Sequence, residues 1–219
     1  MPQRQGAAPR DRRGGHPSRG VFVVFGRRNV EDMNVGKLLL RVVVGGVFVG
    51  HGLQKLTGAF GGPGLAGTEK MAENLDLHPP RRNALAVALT ETAGGAAIAA
   101  GAATPLAAAG LIATMVTAVR KVHLKNGPWN SAGGYEYNAV LIAAVASLAG
   151  GAGKVSIDAL FGKSKWGAKG TLFALGAGIA GSLAVVALGR YESSRVESAA
   201  TTESDVAAAA SDATTDDEA

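Results

Sequence analysis

The chain has 219 residues, of which 47% are hydrophobic but only 5% aromatic, and 32 are glycine. Alanine and glycine in place of large side chains make a poor soluble core but let helices approach closely in lipid. Cysteine is absent, which excludes structural disulfides, thiol relays and thiolate-held iron–sulfur centres within the chain. The formal charge of +5 does not indicate a nucleic-acid binder, because the basic residues are divided among a terminal arm and several loops without interleaved aromatics or a recognition motif. Basic residues beside membrane spans are explained by attraction to anionic lipid headgroups.

Residues 1–34 read as a disordered, arginine-rich arm containing Arg4, Arg10, Arg12, Arg13, Arg19, Arg27 and Arg28. Its only apolar patch, Val21–Phe25, is too short for a secretory or twin-arginine signal. Met33 stands just before the first apolar run, and a start there would leave the arm without a function.

Five later stretches approach the roughly 20 residues needed to cross a bilayer. They run from Val35 to Thr57, Asn83 to Ala103, Pro105 to His123, Tyr137 to Gly153, and Thr171 to Gly189. The runs are too long for strands and lack alternation. This predicts an all-α integral membrane protein of the cell membrane. The short fourth stretch and the charges in the first leave a soluble helical bundle as the competing architecture. Residues 190–219 are acidic and low in complexity, which predicts a disordered tail.

In the first stretch Lys37, Arg41, His51 and Lys55 fall within an arc of roughly 80° on a helical wheel. Lys37 and Lys55, near the ends, suit snorkelling to headgroups; Arg41 and His51 lie deeper. The second stretch holds a single carboxylate, Glu91, which survives in hydrocarbon only if paired, protonated or facing a polar cavity. On its wheel Ala84, Ala88, Gly94, Gly95 and Ile98 lie within about 60° of Glu91, so this face points into the bundle. Glu91 lies about 12 Å into its span and His51 about 9 Å from the end of the first, measured from the same membrane face. Glu91 is therefore expected to meet His51, with Lys55 nearer the surface.

That face also collects Arg120 and His123, the loop that carries Glu136, and the long loop from Gly58 to Arg82. The candidate intramembrane polar cluster is Arg41, His51, Lys55, Glu91, Arg120, His123 and Glu136. Three readings are open: a structural ion pair, proton handling or quinone contact, and haem ligation by His51 and His123, the last resting on two histidines without an attachment motif. The glycines of Gly61–Gly67 neither follow a strand nor precede a phosphate-loop lysine, and neither metal-ligand histidine spacing nor a nucleophile elbow occurs. Metal sites and self-contained hydrolysis are not indicated.

The ordered motifs LLLRVVVGGVFVGHGLQKLTGAFGG (Leu38–Gly62), LTETAGGAAIAAG (Leu89–Gly101), AAAGLIATMVTAVRKVH (Ala107–His123) and GGYEYNAVLIAAVASLAGGAGKVSID (Gly133–Asp158) resemble the DoxX family of small bacterial and archaeal membrane proteins. The resemblance covers about residues 35–160 and implies a four-helix membrane domain there. Family positions are matched by Arg41, His51, Gly52, Lys55, Glu91, Tyr135 and Glu136. Where members commonly carry Gly-Pro-Gly after span four, this chain has Gly151-Ala152-Gly153, although Ser156 and Asp158 keep the trailing pattern. A fifth helix at 171–189 and the acidic tail lie outside the shared domain.

For the founding members the family implies respiratory or sulfur-oxidising quinone chemistry, and for most others no established activity. The resemblance thus suggests an accessory or quinone-linked subunit of an oxidoreductase system. Its partners would be the bilayer and a redox enzyme or other membrane subunit, with a quinone as the cofactor. The alternative is a non-enzymatic scaffold or assembly factor whose buried charges are structural. Counted from Met33, loop charge makes the site face cytoplasmic, Lys55, Lys70, Arg81, Arg82, Arg120, Lys121 and Lys125 outnumbering Lys37, Lys154, Lys163, Lys165 and Lys169. Counting the arm reverses the balance.

Overall fold

A computed structural model describes residues 34–215; the amino-terminal arm expected at 1–34 lies, but for its last residue, outside them. The described residues are all-helical, without a strand. The helices are α1 (Val35–Thr57), α2 (Gly64–Asn74), α3 (Pro80–Ala100), α4 (Thr104–Ala118), α5 (Glu136–Ala149), α6 (Ile157–Leu160) and α7 (Gly167–Thr215). A π-helical turn, Val119–His123, and a 3-10 turn, Leu124–Asn126, prolong α4.

The bundle is built on the antiparallel pair α1 and α3. A Cβ added to Gly45 would fall 2.5 Å from Gly95 O, and one on Gly52 would fall 2.5 Å from Thr92 N. Backbones this close leave no room for side chains, and the approach orients everything else on the two helices. α3 buries Ala84, Ala88, Glu91, Gly95 and Ile98, the face that its periodicity predicts. α4 packs on α3, α5 and α7, and α2 lies across α1 and α3. Phe48, Ile98, Leu111, Ile112, Val145 and Leu148 fill the core.

The exterior decides between membrane and water. Leu39 is 60% exposed, Val43 61%, Leu106 66%, Val140 62% and Leu172 68%. A monomer in water does not present so many large apolar side chains at once, so the soluble bundle is set aside: this is a membrane protein. Among the described residues three helices are long and apolar enough to cross a bilayer, namely α1, α4 with its extension to Asn126, and α7 as far as Thr202. The other two expected stretches differ. α5 has 14 residues, or about 21 Å of helix against a hydrocarbon core of about 30 Å, because the glycine-rich 150–153 segment ends it before Gly153. α3 has 21 residues, but glycines, threonines and Glu91 make it less apolar.

Helix α7 begins at Gly167 and continues to Thr215, through the segment expected to be a disordered tail. Between Arg190 and Thr215 there is neither glycine nor proline, and alanine, the strongest helix former, recurs. Helix α2, inside the long loop, was not anticipated. Its Thr68 is fully buried, with its hydroxyl donating to Gly64 O at 2.8 Å and lying 3.2 Å from Lys55 O.

At the end of the bundle where α1 begins, Asp158 caps α4. It accepts from Ala103 N at 2.7 Å, Thr104 N at 3.0 Å and the Thr104 hydroxyl at 2.6 Å, satisfying donors that open a helix. Burial alone would raise the Asp158 carboxyl, but these hydrogen bonds and the Trp166 indole outweigh it and hold the group below the usual carboxylate range.

Two outcomes follow. Replacing Gly45 with alanine forces α1 and α3 apart and is expected to cost about 1–3 kcal/mol, read as a lowered Tm in detergent. A depressed carboxyl contributes stability that is present above its unfolded value, about 3.9, and is lost as pH falls through the lower folded value. The Tm should therefore drop on acidification through that window, and Asp158→Asn, less stable at neutral pH, should show a smaller acid-dependent loss.

Candidate functional site

Glu91 is 2% exposed on the inner face of α3, and Lys55, near the end of α1, reaches it with Nζ to Oε2 at 2.5 Å. The partner is thus Lys55, not the expected His51. Gly52 brings the two backbones together one turn earlier, and the four-carbon lysine stem spans the remaining gap. The His51 ring turns aside, with Nδ1 3.1 Å from Gln54 Oε1, but it borders the same space.

That space is a cavity of about 570 Å³ bordered by α1, α2, α3, α4 and α5 and, through Val185, by α7. Its size lies within the range of about 300–1,000 Å³ typical of ligand sites. Phe48, Val87, Met115 and Leu141 give it apolar walls, while Met71 and Ala72 of α2 and Leu75 just after it border it on the loop side. The charged and titratable groups on it are the Lys55–Glu91 pair, His51, Lys121 and His123, and Asn138 borders it too, with threonine hydroxyls, Asn83, Asn130 and Tyr137 elsewhere on the walls. Asn138 is 6% exposed, and its side-chain partner among the described residues is the Met115 sulfur, 3.5 Å from Nδ2. A thioether is a weak acceptor, so this buried amide retains hydrogen-bonding capacity toward the cavity.

Of the seven residues expected to cluster, His51, Lys55, Glu91 and His123 border the cavity. The other three are elsewhere. Arg41 shares its helical face with Lys55 but sits 14 residues earlier, about 21 Å away along the axis. It is buried at the far end of the bundle, where Nε donates to Ile98 O at 3.1 Å and Nη2 to Ala99 O at 2.7 Å, while Nη1 donates to Ala152 O at 2.6 Å and Val155 O at 2.7 Å. The guanidinium gathers carbonyls at the negative end of α3 and ties them to the chain after α5. Arg120 turns toward α7, 3.3 Å from Ser182 O. Glu136 is exposed and accepts from Asn130 N at 2.9 Å, bracing its own loop.

Lys121, Asn138 and the α2 lid were missed. The signal for Lys121 was present, because Gly110, Thr114, Thr117 and Lys121 fall within about 60° on one wheel and Arg120 points about 100° away. The π turn then brings His123 back to the cavity side, where Nδ1 meets Gly133 O at 2.7 Å. No signal announced α2. Among the described residues no group of three or more His, Cys, Asp or Glu side chains could hold a metal ion.

The arrangement can bind an amphiphile, with a polar head at the charged end and an apolar body along the walls. Breaking the Lys55–Glu91 pair should be costly: Lys55→Met leaves Glu91 buried without a partner and is expected to lose about 3–5 kcal/mol. Adding Glu91→Gln to that variant should recover much of the loss, as chemical denaturation in detergent would show.

Compared with known families, the model described as DoxX matches residues 36–124, from the start of α1 to the first turn after α4. Helices α5 to α7 lie beyond the match. No curated protein and no solved structure matched the chain.

Proposed function

We infer that this membrane protein, whose residues 36–124 form a DoxX domain, crosses the cell membrane several times and holds a quinone-type lipid in its cavity as an accessory subunit of an oxidoreductase system. The observation that carries this reading is the meeting, within one apolar cavity of about 570 Å³, of the buried Lys55–Glu91 pair with Asn138 and His51. A quinone ring has two carbonyl oxygens and an apolar body. Lys55 and Asn138 provide donors for the oxygens, and Phe48 and Leu141 provide contact for the ring. Glu91 orients the Lys55 side chain, so the pair positions the head. The electron donor would be a partner enzyme.

A second reading, a scaffold or assembly factor, is favoured by one fact: among the described residues every buried side-chain nitrogen and oxygen already has a partner. In that reading the pair only sets the register of α1 against α3.

Purification from the native membrane in mild detergent, with mass spectrometry of retained proteins and extracted quinones, separates the two. A near-stoichiometric quinone that is lost in a folded Glu91→Gln variant, with or without a co-purifying redox enzyme, is the expected result. A folded, monodisperse wild-type sample without quinone or redox partner would favour the scaffold.

A further inference from the structure

Five residues that line the cavity also face outward: Met71 on α2, Asn130 and Tyr137 around the start of α5, and Ala86 and Val185 where α3 and α7 stand apart. Val185 of α7 is 38% exposed, and Ala86 of α3 is exposed as well. A side chain that borders a cavity and is also accessible from outside marks where the cavity opens. The opening marked by Ala86 and Val185 lies between α3 and α7, which do not pack on one another as neighbouring helices; Met71, Asn130 and Tyr137 mark the loop side of the cavity.

Contacts at both ends hold its frame. α3 and α7 form the posts. Above, the Arg82–Glu192 ion pair at 3.0 Å ties the posts together, and Gly189 lies against the backbone of Asp76 and His78. Below, Thr90 packs on Gly110, and Gly178 packs on Ala109 and Ile112. The back wall is α4, through Gly110, Ala113 and Thr117.

What lies outside follows from α7. Val185 belongs to the apolar span Gly167–Thr202, where Leu183 and Leu188 are 52% and 54% exposed. A helix face with such residues is solvated by hydrocarbon, so the window opens into the bilayer and not into water. Ala86, Gly110, Ala113 and Val185 give it small apolar edges, with the hydroxyls of Thr90 and Thr117 among them.

We propose that this window between α3 and α7 is a lateral portal through which a membrane-dissolved, single-chain amphiphile enters, its head moving inward to Lys55–Glu91 and its apolar chain remaining between Ala86, Thr90 and Val185. The proposal rests on the quinone reading of the same cavity and adds a binding role for α7, which lies outside the family match. α2 borders the site on the loop side, and the ligand need not pass it.

The test uses the full chain in phosphatidylcholine–phosphatidylglycerol vesicles and two naphthoquinone probes, one with a diazirine beside the ring and one with it at the far end of the alkyl chain. Labelled residues are mapped by mass spectrometry, with and without excess unlabelled naphthoquinone. Competable labelling at Lys55, Glu91 or Asn138 by the ring probe and at Ala86, Thr90 or Val185 by the chain probe is expected. Ala86→Trp and Val185→Trp, both at outward-facing positions, should abolish the chain labelling without lowering Tm. Competable ring labelling combined with chain labelling on Met71 or Leu75 would overturn the portal and leave the quinone reading standing. So would labelling unchanged by either tryptophan. Labelling near Val185 that excess naphthoquinone does not reduce is ordinary lipid contact and overturns the portal as well. If the ring probe labels nothing in the cavity, both readings fall.

Discussion

Everything polar inside this bundle depends on how closely α1 and α3 approach each other. In a membrane the hydrophobic effect does not press helices together, and association comes from packing and hydrogen bonds between surfaces that fit. Gly45 against Gly95 and Gly52 against Thr92 provide that fit over two turns. With the axes fixed so near, Lys55 reaches Glu91 at one end of the pair and Arg41 reaches the terminal carbonyls of α3 at the other. Side chains at positions 45 or 52 would separate the helices and strand both charges in an apolar surrounding, where each is costly.

The two ends use charge differently. Arg41 is surrounded by backbone carbonyls and lies within the electrostatic reach of Asp158, which itself caps α4. One residue from each of two distant segments thereby joins α1, the end of α3, the start of α4 and the chain after α5. Gly101 sits in that junction at φ 67°, and a Cβ on it would meet Arg41 Cζ at 2.8 Å, so both the turn and the guanidinium require glycine. This end leaves only a small space of about 20 Å³ beside Arg41. The Lys55 end is hollow, around a sizeable volume.

Much of this was legible in the chain. The limits of α1 coincide with the apolar run Val35–Thr57, and the buried face of α3 follows from the periodicity around Glu91. The placement of Arg41 in the same cluster as Lys55 failed because a helical wheel reports angle and discards depth: the two share a face but not a level. Depth also misled for His51, whose backbone level suits Glu91, since the longer lysine stem closes the distance from a turn away. Lys121 was legible but was passed over beside Arg120, its neighbour in sequence and not in direction. The α2 lid and the contribution of Val185 depend on how a loop folds back and how a fifth helix crosses, which are tertiary facts that no local pattern encodes.

Helix α7 changes what the matched segment can do. The DoxX match ends at residue 124, and α1, α3 and α4 alone would leave the groove along Ala86, Thr90, Ala113 and Thr117 open along its length. α7 runs along α4 in the same direction, with Gly178 and Gly181 seated on Ile112 and Ala113, and ends its apolar course beside the loop at Asp76. Its presence turns an open groove into a framed window. The same glycines that let α7 seat on α4 set its distance from α3, so the width of the opening is determined by packing on the side away from it. Selectivity for what passes would then depend on small residues remote from the Lys55–Glu91 pair, separating the choice of apolar chain from the recognition of the polar head.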